Sequence, residues 1–341
     1  MGYIQYPWNN ERKKELVIKI LESCPDLFRN SVRNFAGIIN PLRTASRYWI
    51  QACEFLTTVI LTCHPRHIKD ALDKLTLNDI FFWIKDICLP LETLVHINGS
   101  KFLTHNNFQQ RLAINRLLLA MFKQYTNYIK VINQKEKKKN SNRYRRFKFD
   151  ILNHLLLNFP TMENILNSLN ISILHQSMEG VDVLAHLDVA LDLVLILCQE
   201  NRTFVNKTSV ILDYLELLRP LYSQEDEQDS INTTNNIKLE MKAIKTILLL
   251  FPKALDPQKE RFASVLRSFI KAFVYGEQEV SQEAGCLLRD IFKNTGIFDS
   301  GELEIDLWLE TLKFVDMETV NAVIQVFNEV LKVSRDVFLR V

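Results

Sequence analysis

The chain has 341 residues, 47% of them hydrophobic, and only eight are glycine. Nucleotide-binding α/β folds and all-β folds use glycine in turns and phosphate-binding loops, so this composition favours a helical protein. The formal net charge is +2, and the overall charge therefore does not identify a nucleic-acid-binding protein.

Apolar residues recur at helical spacing from the N-terminus onward. We predict helices over residues 11–24, over the segment that ends at Pro41, and over residues 45–63. The stretch from Thr76 to Asp79 resembles a capping box and predicts that another helix starts there. Each of these segments has an apolar face that requires a neighbouring helix.

The helix predicted at 107–132 is apolar around most of its circumference. Asn106 and Asn107 can cap its first turn. A helix this apolar is buried when neighbours lie on both sides of it. We therefore predict an inner helix of a stack and not a cofactor site.

Helices are predicted through the rest of the chain, and no segment alternates as a strand does. Their expected ranges are 147–158, 162–175, 181–199, 203–218, 237–251, 258–275, 278–294, 302–314 and 317–339. Helix pairs recur at roughly 35–50 residues, which is the period of HEAT and armadillo-like arrays. The predicted fold is an all-α solenoid of such helix pairs, stacked so that each pair buries the apolar face of the next pair.

Two polar segments, 135–148 and 223–236, interrupt the apolar pattern and are predicted to be mobile loops. The first separates a helical repeat block at 1–134 from a second block at 149–341, within one continuous solenoid. The last helix reaches the terminus without a stop signal, which favours a piece of a longer chain or a truncated gene model.

The two C-terminal helices carry a further prediction about apolar surface. The helix at 302–314 is expected to bury one face, made of Leu303, Ile305, Leu307, Leu309 and Leu312. The last helix has apolar residues on more than one face, including Val320, Val326 and Val330. We therefore expect an exposed apolar patch and self-association at this end.

The sequence contains no phosphate-loop, zinc-protease or serine-hydrolase motif. His64 and His67 lack a third metal ligand nearby, and Asp188 and Asp192 are expected on the solvated edge of a helix. The six cysteines have no metal-binding spacing and are expected to be buried, reduced thiols. We expect no enzymatic activity, no metal, no cofactor and no membrane span.

The segment KEKKKNSNRYRRFK at 135–148 is the strongest local signal for function. Clustered cations bind phosphate backbones by releasing counterions, and aromatic rings such as Tyr144 and Phe147 can stack on unpaired bases. Two basic clusters around a polar spacer also fit a nuclear-import signal, and a solvated charged loop is the third interpretation. The candidate residues for RNA binding or nuclear import are Lys135, Lys137, Lys138, Lys139, Arg143, Tyr144, Arg145, Arg146 and Lys148.

Four stretches, in order along the chain, resemble the family of nucleolar pre-ribosome-associated protein 1, also described as unhealthy ribosome biogenesis protein 1. They are PDLFRNSVRNFAGIINPLRTASRYWIQACEFLTTVI at 25–60, FLTHNNFQQRLAINRLLLAMFKQ at 102–124, LLLNFPTMENILNSL at 155–169 and FDSGELEIDLWLETLK at 298–313. The motifs are mostly leucine, and their order and spacing carry the resemblance. No invariant catalytic residue belongs to this pattern.

The resemblance implies a helical scaffold in the nucleolus that acts in rRNA maturation and assembly of the large ribosomal subunit. It also implies contacts with a helicase, with other assembly factors of the pre-ribosomal particle, and with pre-ribosomal and small nucleolar RNA. The alternative is a generic HEAT-type adaptor in transport or trafficking that binds peptides on its concave face.

Overall fold

The computed structural model describes residues 6–39, 47–65, 76–99, 103, 107–139, 142–174, 180–200, 230–250, 260–295, 298 and 302–338. Within these ranges the backbone forms fourteen α-helices and no strand, which confirms the all-α prediction. The chain divides into two compact units, Met1–Val210 and Ile211–Val341. The helix predicted at 203–218 lies outside the described residues.

Unit 1 contains nine of the described helices, and a π-helical turn at Ile84–Cys88 directly continues the fourth. The helices are α1 (Glu11–Ser23), α2 (Phe28–Ile39), α3 (Arg47–Thr62), α4 (Leu77–Trp83), α5 (Leu91–Gly99), α6 (Phe108–Lys139), α7 (Asn142–Asn158), α8 (Met162–Leu174) and α9 (Gly180–Glu200).

Two of the predicted helix starts are capped as the sequence indicates. The backbone N–H of Asp79 donates to Thr76 Oγ1 at 3.2 Å, and Thr76 N–H donates back to the Asp79 carboxylate at 3.0 Å. At the start of α6, Asn107 Oδ1 accepts a hydrogen bond from the backbone N–H of Gln110 at 3.1 Å. Both caps satisfy amide groups that the helix itself leaves without partners.

The long helix α6 is the centre of unit 1, because α3 packs along one side of it and α9 along another. Its side chains Leu117, Leu118, Met121 and Phe122 are at most 1% exposed. The prediction of an inner helix is therefore confirmed.

Polar side chains of α6 that enter this core are hydrogen-bonded to neighbouring elements. Gln124 Nε2 donates to the Leu61 carbonyl at 2.6 Å, near the end of α3. The Tyr128 hydroxyl accepts from Trp83 Nε1 at 3.0 Å and donates to the Cys63 carbonyl at 3.1 Å. These bonds fix the position of α6 against the last turn of α3 and the end of α4, since a buried polar group is costly unless it is paired.

Unit 2 contains five described helices. They are α10 (Ser230–Leu250), α11 (Glu260–Tyr275), α12 (Gln278–Thr295), α13 (Glu302–Leu312) and α14 (Met317–Phe338). A Cβ atom on Gly285 would lie 2.9 Å from the Phe273 ring, so the absence of a side chain lets α12 approach α11 closely. An aromatic cluster of Phe292, Phe298, Trp308 and Phe327 joins α12, α13 and α14, and the centroids of Trp308 and Phe327 are 4.0 Å apart.

Two segments that we predicted to be loops are helical where the structure describes them. In the basic segment, 135–139 belongs to α6 and 142–148 belongs to α7, while Asn140 and Ser141 lie outside the described residues. Lysine, arginine and glutamate are good helix formers. The charge of this segment therefore does not prevent the helices of the adjacent apolar segments from extending into it. In the acidic segment, residues 230–236 form the first turns of α10.

The prediction for the α13 face was wrong in part. Ile305, Leu309 and Leu312 are buried, but Leu303 is 78% and Leu307 is 71% exposed. Residues two apart on a helix are separated by about 200°, so Leu303 and Ile305 cannot share one face.

The last helix, α14, buries Val320 and Ile324 and leaves Val326 61% exposed. The side chains from Val330 onward lie outside the described residues. The predicted self-association at this end of the chain stays a prediction.

Candidate nucleic-acid interface

The basic segment spans the end of α6 and the first two turns of α7. The side chains of Lys135, Lys137, Lys138, Lys139, Arg143 and Tyr144 lie outside the described residues, although their backbones are helical. The described members are Arg145, Arg146, Phe147 and Lys148. The geometry of the candidate interface therefore rests on α7.

Helix α7 packs on unit 1 through a buried stripe of three side chains. Phe147, Ile151 and Leu155, which are four residues apart, are at most 7% exposed. The Phe147 ring meets the edge of Phe81 in α4, with centroids 6.3 Å apart. Phe147 was expected to stack on a base, but it is an anchor of the fold and its ring is not accessible.

The outward face of α7 combines two cations with a different aromatic ring. Arg145 and Arg146 are exposed, and Phe149 is 62% exposed. Phe149 lies four residues after Arg145 and three after Arg146, so the three side chains are neighbours on the helix surface. Sequence reasoning missed Phe149 because it treated the segment as a loop. Helical spacing is the signal that identifies it.

Lys148 connects α7 to α6. Its Nζ donates a hydrogen bond to Asn133 Oδ1 at 3.2 Å and is only half-exposed. This contact ties the second turn of α7 to the last turns of α6. Lys148 therefore stabilises the helix pair that presents Arg145 and Arg146.

The far end of α7 is also fixed to its neighbours. Asn98 Nδ2, in α5, donates to the Asn158 carbonyl at 2.7 Å. Asp150, directly after Phe149, is exposed, and nearer the end of the helix Leu156 is 40% and Leu157 82% exposed. The exposed surface of α7 is therefore cationic and aromatic near its start and apolar near its end, with Asp150 between them, and such a surface can bind an extended ligand.

The polar residues of α9 are in two different environments. Asp188 and Asp192 are half-exposed, as expected for the solvated edge of a helix. His186 is completely buried, and its Nε2 lies 2.8 Å from Asn115 Nδ2 and 3.4 Å from Ser168 Oγ. Burial lowers the pKa of His186 to about 3, helped by the nearby Arg111 guanidinium, so the imidazole is neutral at physiological pH.

Most of the cysteines are inert members of the core. Cys53, Cys63, Cys88 and Cys198 are buried, whereas Cys24 and Cys286 are exposed, and none forms a disulfide. Burial raises the pKa of Cys63 and of Cys198 to about 12, which keeps both thiols protonated. Among the described residues, no three His, Cys, Asp or Glu side chains form a group that could hold a metal ion.

The described helices include none that combines the length and the apolar character needed to cross a membrane. This finding includes α9, the helix with the half-exposed Asp188 and Asp192.

Comparison with known proteins gives no match to a family model, to a curated protein or to a solved structure. The likeness of four stretches to a nucleolar family is therefore a hypothesis that rests on the sequence alone.

Proposed function

We propose that the chain is a non-catalytic helical scaffold that binds pre-ribosomal RNA during assembly of the large ribosomal subunit in the nucleolus. The observation that carries the proposal is the shared exposed face of α7, where Phe149 lies one turn from Arg145 and Arg146. The nucleolar setting and the assembly factors, including a helicase and small nucleolar RNA, come from the sequence resemblance.

The proposed chemistry follows from the side chains on this face. A guanidinium group can donate two parallel hydrogen bonds to a phosphate, and each phosphate contact releases condensed counterions. An exposed phenyl ring stacks on any unpaired base without reading its identity. The exposed face of α7 therefore suits single-stranded RNA, with two phosphates held by the arginines and one base stacked on Phe149.

We further propose that the helices form a HEAT- or armadillo-like solenoid. The packing within unit 1 supports this, because α3, α6 and α9 lie side by side with α6 in the middle. Shorter helices connect these three along the chain. In repeat arrays, too, equivalent helices of successive repeats stack side by side. In unit 2, α11 packs against both α12 and α14.

The RNA part of the proposal is tested with the double variant Arg145→Gln and Arg146→Gln. We expect weaker binding of a single-stranded pre-ribosomal RNA fragment to the full chain. We also expect the slope of log K against log salt to become shallower by about 0.7 for each phosphate that the variant no longer binds. A salt titration of binding, followed by fluorescence anisotropy of labelled RNA, measures both effects.

The matched control is Arg12→Gln with Lys13→Gln, because both side chains are exposed on α1 and the change in net charge is the same. The control should keep the wild-type slope. Equal losses of affinity in the two double variants would show a nonspecific charge effect and contradict an α7 interface. If RNA binding is unchanged but nuclear accumulation is lost, the basic segment is an import signal.

The assembly role is tested separately by sedimentation from cell extracts. The proposal predicts that the chain sediments with precursors of the large ribosomal subunit. Sedimentation with transport or trafficking complexes would instead support the adaptor alternative.

A further inference from the structure

A second surface, in unit 2, is independent of α7 and of the proposed RNA contact. Leu303, Leu307 and Phe314 are 78%, 71% and 85% exposed. Leu303 and Leu307 lie one turn apart on the outward side of α13, and Phe314 follows just after the helix ends. We refer to these three side chains as the α13 stripe. Large apolar residues at this exposure, grouped on one side of an element, mark an interaction surface.

The opposite side of α13 is held firmly by the rest of unit 2. Ile305, Leu309 and Leu312 are at most 3% exposed. Trp308 packs edge-on against Phe327 of α14, and the Arg289 side chain of α12 forms an ion pair with Asp306. Because these contacts fix α13, the α13 stripe is preformed and needs no rearrangement to bind a partner.

The surroundings of the α13 stripe are strongly acidic. Glu304 and Glu310 are exposed on either side of the two leucines, and Glu310 also pairs with Lys313 at 3.1 Å. The stretch from 302 to 318 contains six carboxylates and one lysine. This charge repels RNA and anionic membranes, and it also disfavours pairing of two α13 stripes, since the glutamates of both copies would face each other.

We propose that the α13 stripe binds a basic amphipathic helix of a partner protein. The apolar face of that helix covers Leu303, Leu307 and Phe314, and its flanking lysines or arginines pair with Glu304 and Glu310. Helices recognised in this way present apolar anchors at i, i+4 and i+7 positions. The acidic border selects basic helices over acidic ones.

The probes for this proposal are three synthetic 18-residue peptides. The first places leucines at i, i+4, i+7 and i+11 with lysines on both sides of that face. The second has glutamates in place of the lysines, and the third has the lysine peptide's composition with its leucines scattered around the helix. Fluorescence anisotropy with the full chain should show binding of the lysine peptide at least about tenfold tighter than that of either control.

The variants locate the binding on α13. Leu303→Gln with Leu307→Gln keeps good helix formers and should weaken binding of the lysine peptide by about tenfold or more, since two leucines no longer bury apolar surface against it. Glu304→Gln with Glu310→Gln should reduce both the preference for the lysine peptide and its salt dependence. Leu16→Gln removes an exposed leucine (50%) from α1 of unit 1 and should bind as the wild type does.

The proposal is overturned if the three peptides bind equally, or if Leu303→Gln with Leu307→Gln retains full affinity while circular dichroism shows unchanged helix content. It is also overturned if sedimentation equilibrium shows a wild-type dimer that this double variant abolishes. In that case a second copy of the chain is the occupant.

Discussion

The consecutive helices α6 and α7 are similar in composition, since both combine long apolar side chains with several cations, but the fold uses them differently. Helix α6 packs against α3 on one side and α9 on another, whereas among the described side chains of α7 (145–158) only Phe147, Ile151 and Leu155 are buried. How much of a helix surface its neighbours cover therefore decides whether a leucine or an aromatic ring stabilises the fold or faces a ligand. Apolar content alone does not separate the two cases.

The largest contrast is expected from the same substitution placed in the two helices. Leu118 of α6 is fully buried and Leu157 of α7 is 82% exposed. Leu118→Ala should lower the free energy of unfolding by about 2–5 kcal/mol, through reduced burial and a residual cavity. Leu157→Ala should change it by less than about 0.5 kcal/mol. Urea denaturation followed by circular dichroism measures both, and equal losses of stability would contradict the difference in packing.

A smaller effect is expected from acid, and it originates at the contact between α6 and α9. The pKa of His186 is about 3 in the folded chain, below the ordinary value of 6.5. The unfolded state therefore binds the proton more readily, and His186 contributes stability that is complete above pH 6.5 and is lost as the pH falls toward 3. Between pH 7 and pH 5 the free energy of unfolding should fall by about 2 kcal/mol from this group.

The control for the acid effect is His186→Gln, which leaves a polar side chain beside Asn115 that does not titrate. Its stability should depend less on pH between 7 and 5 than that of the wild type. Burial also lowers the pKa of His96 and of His154, so a residual slope of the same sign is expected in the variant. Identical pH profiles for the two proteins would show that His186 is not buried in the neutral form.

A third effect concerns the hydroxyl group that fixes α6 against α3 and α4. Tyr128→Phe removes the acceptor for Trp83 Nε1 and the donor to the Cys63 carbonyl while keeping the ring. The free energy of unfolding should fall by about 1–2 kcal/mol, because a buried carbonyl is left without its partner. Unchanged stability in Tyr128→Phe would contradict the role given to the Tyr128 hydroxyl.

The sequence predicted those parts of the fold that local rules determine. The helix periodicity, the capping box at Thr76 and Asp79 and the cap at Asn107 are all present. It did not predict the π-helical turn at Ile84–Cys88, which depends on packing around that turn and not on its residue types.

The candidate interface was predicted less completely than the helices. Charge density identified the basic segment, but a loop has no defined faces, so the sequence analysis assigned base stacking to Phe147 and did not consider Phe149. Only tertiary packing shows that Phe147 faces α4 and Phe149 faces outward. The same limit explains α13, where the leucine positions alone did not separate the buried face from the exposed one.

Helix α7 is proposed to bind RNA with its outward face while its inner stripe holds the fold, and the matched variants Phe149→Leu and Phe147→Leu separate these two roles. Phe149→Leu should weaken binding of single-stranded RNA by about tenfold because base stacking is removed, with unfolding unchanged. Phe147→Leu should lower the free energy of unfolding by about 1 kcal/mol and leave the RNA affinity of the folded protein unchanged. Unchanged RNA affinity in Phe149→Leu, or weaker RNA binding confined to Phe147→Leu, would contradict this division of roles.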